Sequence, residues 1–365
     1  MLLRCAFLVL LSSSALAQSS RDLSAVFSDL TPTDPGCAAL VVNHGKTVFQ
    51  QGYGLADLER RTPITPTTNF RLASVTKQFT ATAIMLLVKD GKLTYDTRLT
   101  DIFSDFPAYG RDITVRNLLN HTSGLPDYED LWDSQFPNTP AAELPQVRDA
   151  QVLQLMKSQS KGKFSPGTRF SYSNSGYSVL SQIVQKVSGQ PFEDFLHARI
   201  FQPLGMTNTV AFINTRNSVS NRAYGYRKDN GRWIFSDQSS TSAVLGDGGV
   251  YSSLADFQKW IDALRTHKLL TAAEMAPALT PGNARQFDPP TSEEFVRYGF
   301  GWFLDPYKGH RRMYHYGETI GFLTNIQYFP DDDLGIVVLC NRTDVPPERR
   351  AMKIADMFLS VKNER

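Results

Sequence analysis

The 365 residues hold 38 lysines and arginines against 36 acidic residues, with 41% hydrophobic and 20% charged side chains. That balance describes an ordinary globular chain, not a disordered or fibrous one. The length allows one large domain or two intimately joined ones, and a net charge of +2 without a basic run argues against a nucleic-acid partner.

Residues 1–17 have the pattern of a secretory signal. Arg4 precedes the apolar stretch 6–11, and Ala15-Leu16-Ala17 offers a small-residue cleavage site before Gln18. The expectation is an exported protein, periplasmic or secreted, with a mature chain of 18–365. No later stretch approaches about 18 uninterrupted apolar residues, so no transmembrane segment is expected. Loss of the signal leaves Cys37 and Cys340, too few for a disulfide scaffold. The six histidines are scattered without a His-x-x-x-His pair, so neither zinc nor another cofactor is expected.

Residues 21–30 fit a short amphipathic helix. Strands are expected at 37–42 and 47–54, joined by the turn Asn43-His44-Gly45-Lys46. An apolar helix opens near Ser74, runs to about Lys89 and is stopped by Gly91. A short segment at 99–103 and a helix at 112–119, capped by Thr114, precede the turn-forming stretch 121–126. Residues 129–148 read as loop, 151–158 as helix and 165–167 as turn, with further helices at 178–187 and 191–201. No pattern emerges over 207–245. The glycine-rich 246–251 leads into a helix at 254–265. The period then changes to two, giving strands at 297–304, 312–316, 321–329 and 334–340, with Asp331-Asp332-Asp333 turning the last pair and a closing helix at 347–361. The fold class is α+β. One antiparallel sheet draws on both chain ends (about 21–75 and 241–365), and a mainly helical region (about 76–240) is inserted between them.

Three clusters carry chemistry. Ser74 and Lys77 stand three apart at a helix start, which puts the hydroxyl and the amine on one face. Backbone N–H groups there favour developing negative charge, as a nucleophile site requires. Alone, Ser-x-x-Lys recurs by chance and such a serine is usually a cap. Tyr172 and Asn174, two apart before a helix, offer a phenol and an amide to the same cleft. His315-Tyr316-Gly317-Glu318 lies on or leaves a strand. Gly317 would let a substrate backbone approach the strand, and the N–H of Glu318 could share an oxyanion with that of Ser74.

With these motifs in this order, the sequence resembles the serine β-lactamase-related family, which includes class C β-lactamases, D-alanyl-D-alanine peptidases and related esterases. Ser74-x-x-Lys77 matches the family's first motif and Tyr172-x-Asn174 its second. His315-Tyr316-Gly317 falls where the family has Lys-Thr-Gly or His-x-Gly. Stretches 113–126, 248–253 and 315–322 also look familiar, and the resemblance spans about residues 21–360. It implies a β-lactamase/transpeptidase-like fold in which Ser74 becomes acylated. Lys77 and Tyr172 would share acid and base work, Lys77 holding the tyrosine's pKa low. Asn174 would bind the acyl side-chain amide, and His315 would supply polarity opposite Tyr172. The family's sheet order also sets the strand of Cys37 beside that of Cys340, and export would allow a disulfide there.

The chain departs from the family at the third motif. His315 stands in place of a lysine, Tyr316 in place of a small hydroxyl residue, and the acidic Glu318 follows. A substrate carboxylate beside Glu318 would be repelled. Poor β-lactam hydrolysis is expected, with a neutral ester, amide or peptide as substrate. A D-alanyl-D-alanine peptidase acting on peptidoglycan and a non-catalytic binding protein on the same fold remain alternatives. The sequence has no Gly-x-Ser-x-Gly elbow for Ser-His-Asp chemistry, and His121 reads as structural.

Overall fold

The run at 37–43 is continuously apolar because its strand is covered on both faces. In the computed structural model, which describes residues 22–214, 216–282, 284–288 and 294–361, β1 (Cys37–Asn43) sends Ala38, Leu40 and Val42 into one apolar cluster. Cys37, Ala39 and Val41 point into another. Burying such aliphatic side chains contributes roughly 1.5–3 kcal/mol each, so β1 anchors the layers above and below it. The expected signal lies outside the described residues.

β1 pairs antiparallel with β2 (Lys46–Tyr53) across a turn in which His44 and Gly45 both have positive φ. Three strands from the far end, β3 (Met313–Thr319), β4 (Phe322–Phe329) and β5 (Leu334–Cys340), form a meander. Its last strand closes onto β1, giving the order β3-β4-β5-β1-β2 with every pair antiparallel. Cys37 stands opposite Cys340 in that register, and the two form a disulfide with Cα atoms 4.0 Å apart.

One face of the sheet carries the terminal helix Pro347–Ala355 together with Leu23 and Phe27. The other packs against the helical region through Phe79 of α1 (Lys77–Lys89), Ile183 of α2 (Asn174–Ser188) and Trp260 of α3 (Leu254–Arg265). β3 is an edge strand, and the turn that precedes α1 leans on it through Leu72 and Ala73.

Four local expectations change. Residues 297–304 alternate apolar and polar but build no strand. Tyr298, Phe300 and Trp302 are buried, and the segment turns back at Gly301 with only isolated bridges Tyr298–Phe303 and Phe303–Tyr314. Within 129–148 a helix forms at Tyr128–Asp133, because Asp127 caps it by accepting from Glu129 N (2.8 Å) and acidic residues occupy its first turn. The helix expected from 178 begins at Asn174, capped by Ser173. In the unplaced region, Tyr226–Asp229 and Arg232–Phe235 form a hairpin.

Candidate active site

The turn before α1 is a 3-10 turn, Ala73–Thr76, not a first α-helical turn. Phe70–Arg71 pairs with Val250–Ser252, and Ala73 then takes φ +48°, a left-handed conformation that costs a residue with a Cβ of order 1–3 kcal/mol. The kink is held from below, where Thr324 Oγ1 donates to the Leu72 carbonyl (2.7 Å). A Cβ on Gly317 would land on that same carbonyl and on the Thr324 hydroxyl. The glycine therefore lets β3 press against the Ser74 turn, and protein fills the space expected for substrate.

Lys77 is fully buried and donates to three acceptors: Ser74 Oγ (2.9 Å), Asn174 Oδ1 (2.9 Å) and the Asp247 carbonyl (3.0 Å). Burial pulls its ammonium below the usual lysine range, partly opposed by the charges of Asp247 and Glu129. The Asp247 carboxyl is pushed up by the same burial, against the pull of Lys77, and accepts from Tyr128 Oη (3.0 Å). Asn174 Nδ2 donates to Glu129 Oε1 (2.9 Å), so its amide bridges Lys77 to a carboxylate. Burial raises the Glu129 pKa as well.

Tyr172 lies with its ring centroid 4.8 Å from Lys77 Nζ. Its hydroxyl is buried without a hydrogen-bond partner among the described residues. Burial drives the phenol well above its ordinary pKa, only partly countered by the Ser74 hydroxyl, which lies near it but outside hydrogen-bond geometry. This reverses the expectation that Lys77 would hold it low, because desolvation of a phenolate in an aromatic wall outweighs one neighbouring amine. The wall includes His121, 4.3 Å from the Tyr172 centroid, which accepts from Ser173 N through Nδ1 (3.0 Å). Burial holds His121 neutral.

His315 faces Tyr172, with ring centroids 6.2 Å apart, but both its nitrogens are engaged. Nδ1 pairs with the Tyr316 carbonyl (2.7 Å), so it carries the proton, and Nε2 accepts from Tyr298 Oη (3.0 Å). Burial and the nearby Lys77 lower its pKa to about 3. It is a neutral, fixed ring.

Ser74, Asn174, Glu129, Arg71 and the exposed Glu318 line one cleft of about 50 Å³. The structure thus gathers all three sequence motifs. It adds Tyr128, Glu129, Asp247 and Arg71, which sequence reasoning missed. Only Asp247 carried a signal, as the charged residue inside a glycine-rich stretch. Among the described residues no group of His, Cys, Asp and Glu could hold a metal.

The beta-lactamase family model matches residues 31–359. The chain belongs to that family. Among relatives, penicillin-binding protein 4* of Bacillus subtilis is 31% identical over 88% of this chain and 71% of its own length. A D-aminopeptidase of Cereibacter sphaeroides is 31% identical over 84% of this chain, which spans only 57% of that protein. A penicillin-binding protein from Bacillus halodurans has the same fold, with a TM-score of 0.75 and 29% identity over 92% of this chain and 99% of that one. The fold is β-lactamase/transpeptidase-like, and the protein is a serine hydrolase of the family that holds penicillin-binding proteins and D-aminopeptidases.

Proposed function

We propose that this hydrolase cleaves an amide, peptide or ester through an acyl-enzyme on Ser74. The observation that carries the reading is the 2.9 Å contact between Lys77 Nζ and Ser74 Oγ in a site whose burial lowers the lysine's pKa. Neutral Lys77 takes the Ser74 proton as Oγ bonds to the carbonyl carbon. The oxyanion is held by the N–H groups of Ser74 and Glu318. As the bond to the leaving group breaks, the proton passes to it, with the protonated phenol of Tyr172 as relay. Water then attacks the ester by the same route reversed and frees Ser74. The raised pKa of Tyr172 favours Lys77 as the acylation base. Asn174 orients Lys77 and meets the acyl side chain, and His315 positions Tyr172 through the aromatic wall.

The third motif supports slow turnover of penicillins and cephalosporins. His315 is neutral there, and Glu318 is acidic, so β3 offers no cation to a β-lactam carboxylate. Export after removal of residues 1–17 belongs to the same proposal. Intact-mass spectrometry after a p-nitrophenyl ester, and separately a fluorescent penicillin, tests the reading. The expected result is Ser74-dependent ester turnover with little penicilloyl adduct. Turnover unchanged in Ser74→Ala would overturn the nucleophile, and a stable adduct would favour a peptidoglycan peptidase.

A further inference from the structure

Glu129 lines the Ser74 cleft from the first turn of the helix Tyr128–Asp133 and has one carboxylate oxygen to spare. Its backbone is fixed on both sides. Asp127 Oδ1 accepts from Glu129 N (2.8 Å), and Tyr128 N donates to Ser175 Oγ (2.9 Å), which donates in turn to the Pro126 carbonyl (2.7 Å). The segment is thereby pinned to α2 beside Asn174. Oε1 accepts from Asn174 Nδ2 (2.9 Å), and contacts of the same length lead from Asn174 through Lys77 to Ser74 Oγ. Oε2 takes no hydrogen bond among the described residues, and the half-buried side chain does not seal it from solvent. The other acids of the cleft are placed differently. The Asp247 carboxyl is buried and accepts from Tyr128 Oη, and Glu318 is exposed at the rim. The cleft of about 50 Å³ has room for a few waters, and an ionised carboxylate oxygen beside them is an acceptor only. Burial and Asp127 raise the Glu129 pKa against the pull of Asn174 and Lys77, which strengthens it as an acceptor.

We infer that Glu129 holds the hydrolytic water against the acyl-enzyme through Oε2. This rests on the acyl-enzyme reading above and gives its second half a residue that aims the water. One water proton stays hydrogen-bonded to Oε2. As the water oxygen bonds to the acyl carbon, its other proton passes to neutral Lys77 with the Tyr172 phenol as relay. Lys77 gives that proton to Oγ as the bond from the acyl carbon to Ser74 breaks, and the acid product ionises in solvent. Glu129 keeps its charge throughout. Asn174 is an amide and carries no proton between Glu129 and Lys77, so the carboxylate guides the water and the amine does the proton transfer.

Single-turnover kinetics with p-nitrophenyl acetate separate the two steps. Release of p-nitrophenol reports acylation, and intact mass follows decay of the acyl-enzyme. Glu129→Gln keeps the side-chain length and can still accept from Asn174 Nδ2, but it puts an amide donor where Oε2 stood. Deacylation is expected to fall about 100-fold, the cost of misplacing a reacting group by about 1 Å, while acylation stays within about threefold. Acyl-Ser74 should then accumulate. The Glu129 charge raises the Lys77 pKa, so a purely electrostatic role would leave both steps unchanged or faster in this variant. A structural role exerted through Asn174 would slow both alike. Either result overturns the proposal. Glu129→Asp, which keeps the charge but withdraws it by one methylene, should fall between wild type and Glu129→Gln in deacylation. If neither variant folds, a crystal structure of the wild-type protein decides. An ordered water should lie about 2.6–3.2 Å from Oε2 on its Ser74 side, and no water there overturns the proposal. Absence of Ser74-dependent acylation in wild-type protein sinks the acyl-enzyme reading itself, whereas normal acylation with unchanged deacylation in Glu129→Gln sinks only the role of Glu129.

Discussion

Replacing Gly317 with alanine tests how the nucleophile is held. The added methyl would meet the Leu72 carbonyl and the Thr324 hydroxyl, and would lie 3.2 Å from Ala73 Cβ. The first two are closer than carbon and oxygen can approach by about 1 Å, so β3 and the Ser74 turn must separate by that amount. Neither yields easily, because Thr324 is hydrogen-bonded to the same carbonyl and β3 is tied along its length to β4. Overpacking of this kind costs roughly 1–3 kcal/mol, which lowers the melting temperature by a few degrees. Leu72 is two residues from Ser74, and a displacement of about 1 Å at reacting groups can cost around 100-fold in rate. Steady-state kinetics with a p-nitrophenyl ester and a thermal melt on the same preparation make the assay. The expected outcome is a fall in kcat of about two orders of magnitude together with a lower melting temperature. A variant that melts like wild type and shows only a raised KM would refute the reasoning and return Gly317 to the role of substrate contact.

Asp247→Asn removes a charge that raises the Lys77 pKa, so the lysine should become neutral at lower pH. The acid limb of kcat/KM should move down by about one pH unit, worth roughly 1.4 kcal/mol, and an unmoved or upward-shifted limb counts against Lys77 as the base. His315 gives a stability prediction. Its folded pKa lies near 3, well below the unfolded value of about 6.5, so the unfolded chain takes up a proton first as pH falls. Its contribution is complete above pH 6.5 and is lost between about 6.5 and 3, at roughly 1.4 kcal/mol per pH unit. His315→Gln should flatten denaturant-derived stability against pH by about that slope, and an unchanged slope would mean the histidine titrates normally in the fold.

The sequence alone went far where the signal is local or periodic. β1, β4 and β5 follow from apolar runs bounded by turn residues and β2 from the turn that sends the chain back, and the order of Ser74-x-x-Lys77, Tyr172-x-Asn174 and His315-Tyr316-Gly317 pointed to the family that the chain belongs to. It misjudged 297–304, since alternation records which side chains are buried and not whether a neighbouring strand exists to pair with. It passed over Tyr128 and Glu129, ordinary residues locally, and gave Asp247 no role, since these become notable only when Glu129 meets Asn174, Asp247 meets Lys77 and Tyr128 meets Asp247 across 45 to 170 positions. Protonation was also beyond its reach. A motif names a tyrosine and a histidine, but desolvation decides that the first keeps its proton and the second goes without a charge. Residue types and their order specified which groups could react. Burial, which exists only once distant segments close around them, set the charge each one carries.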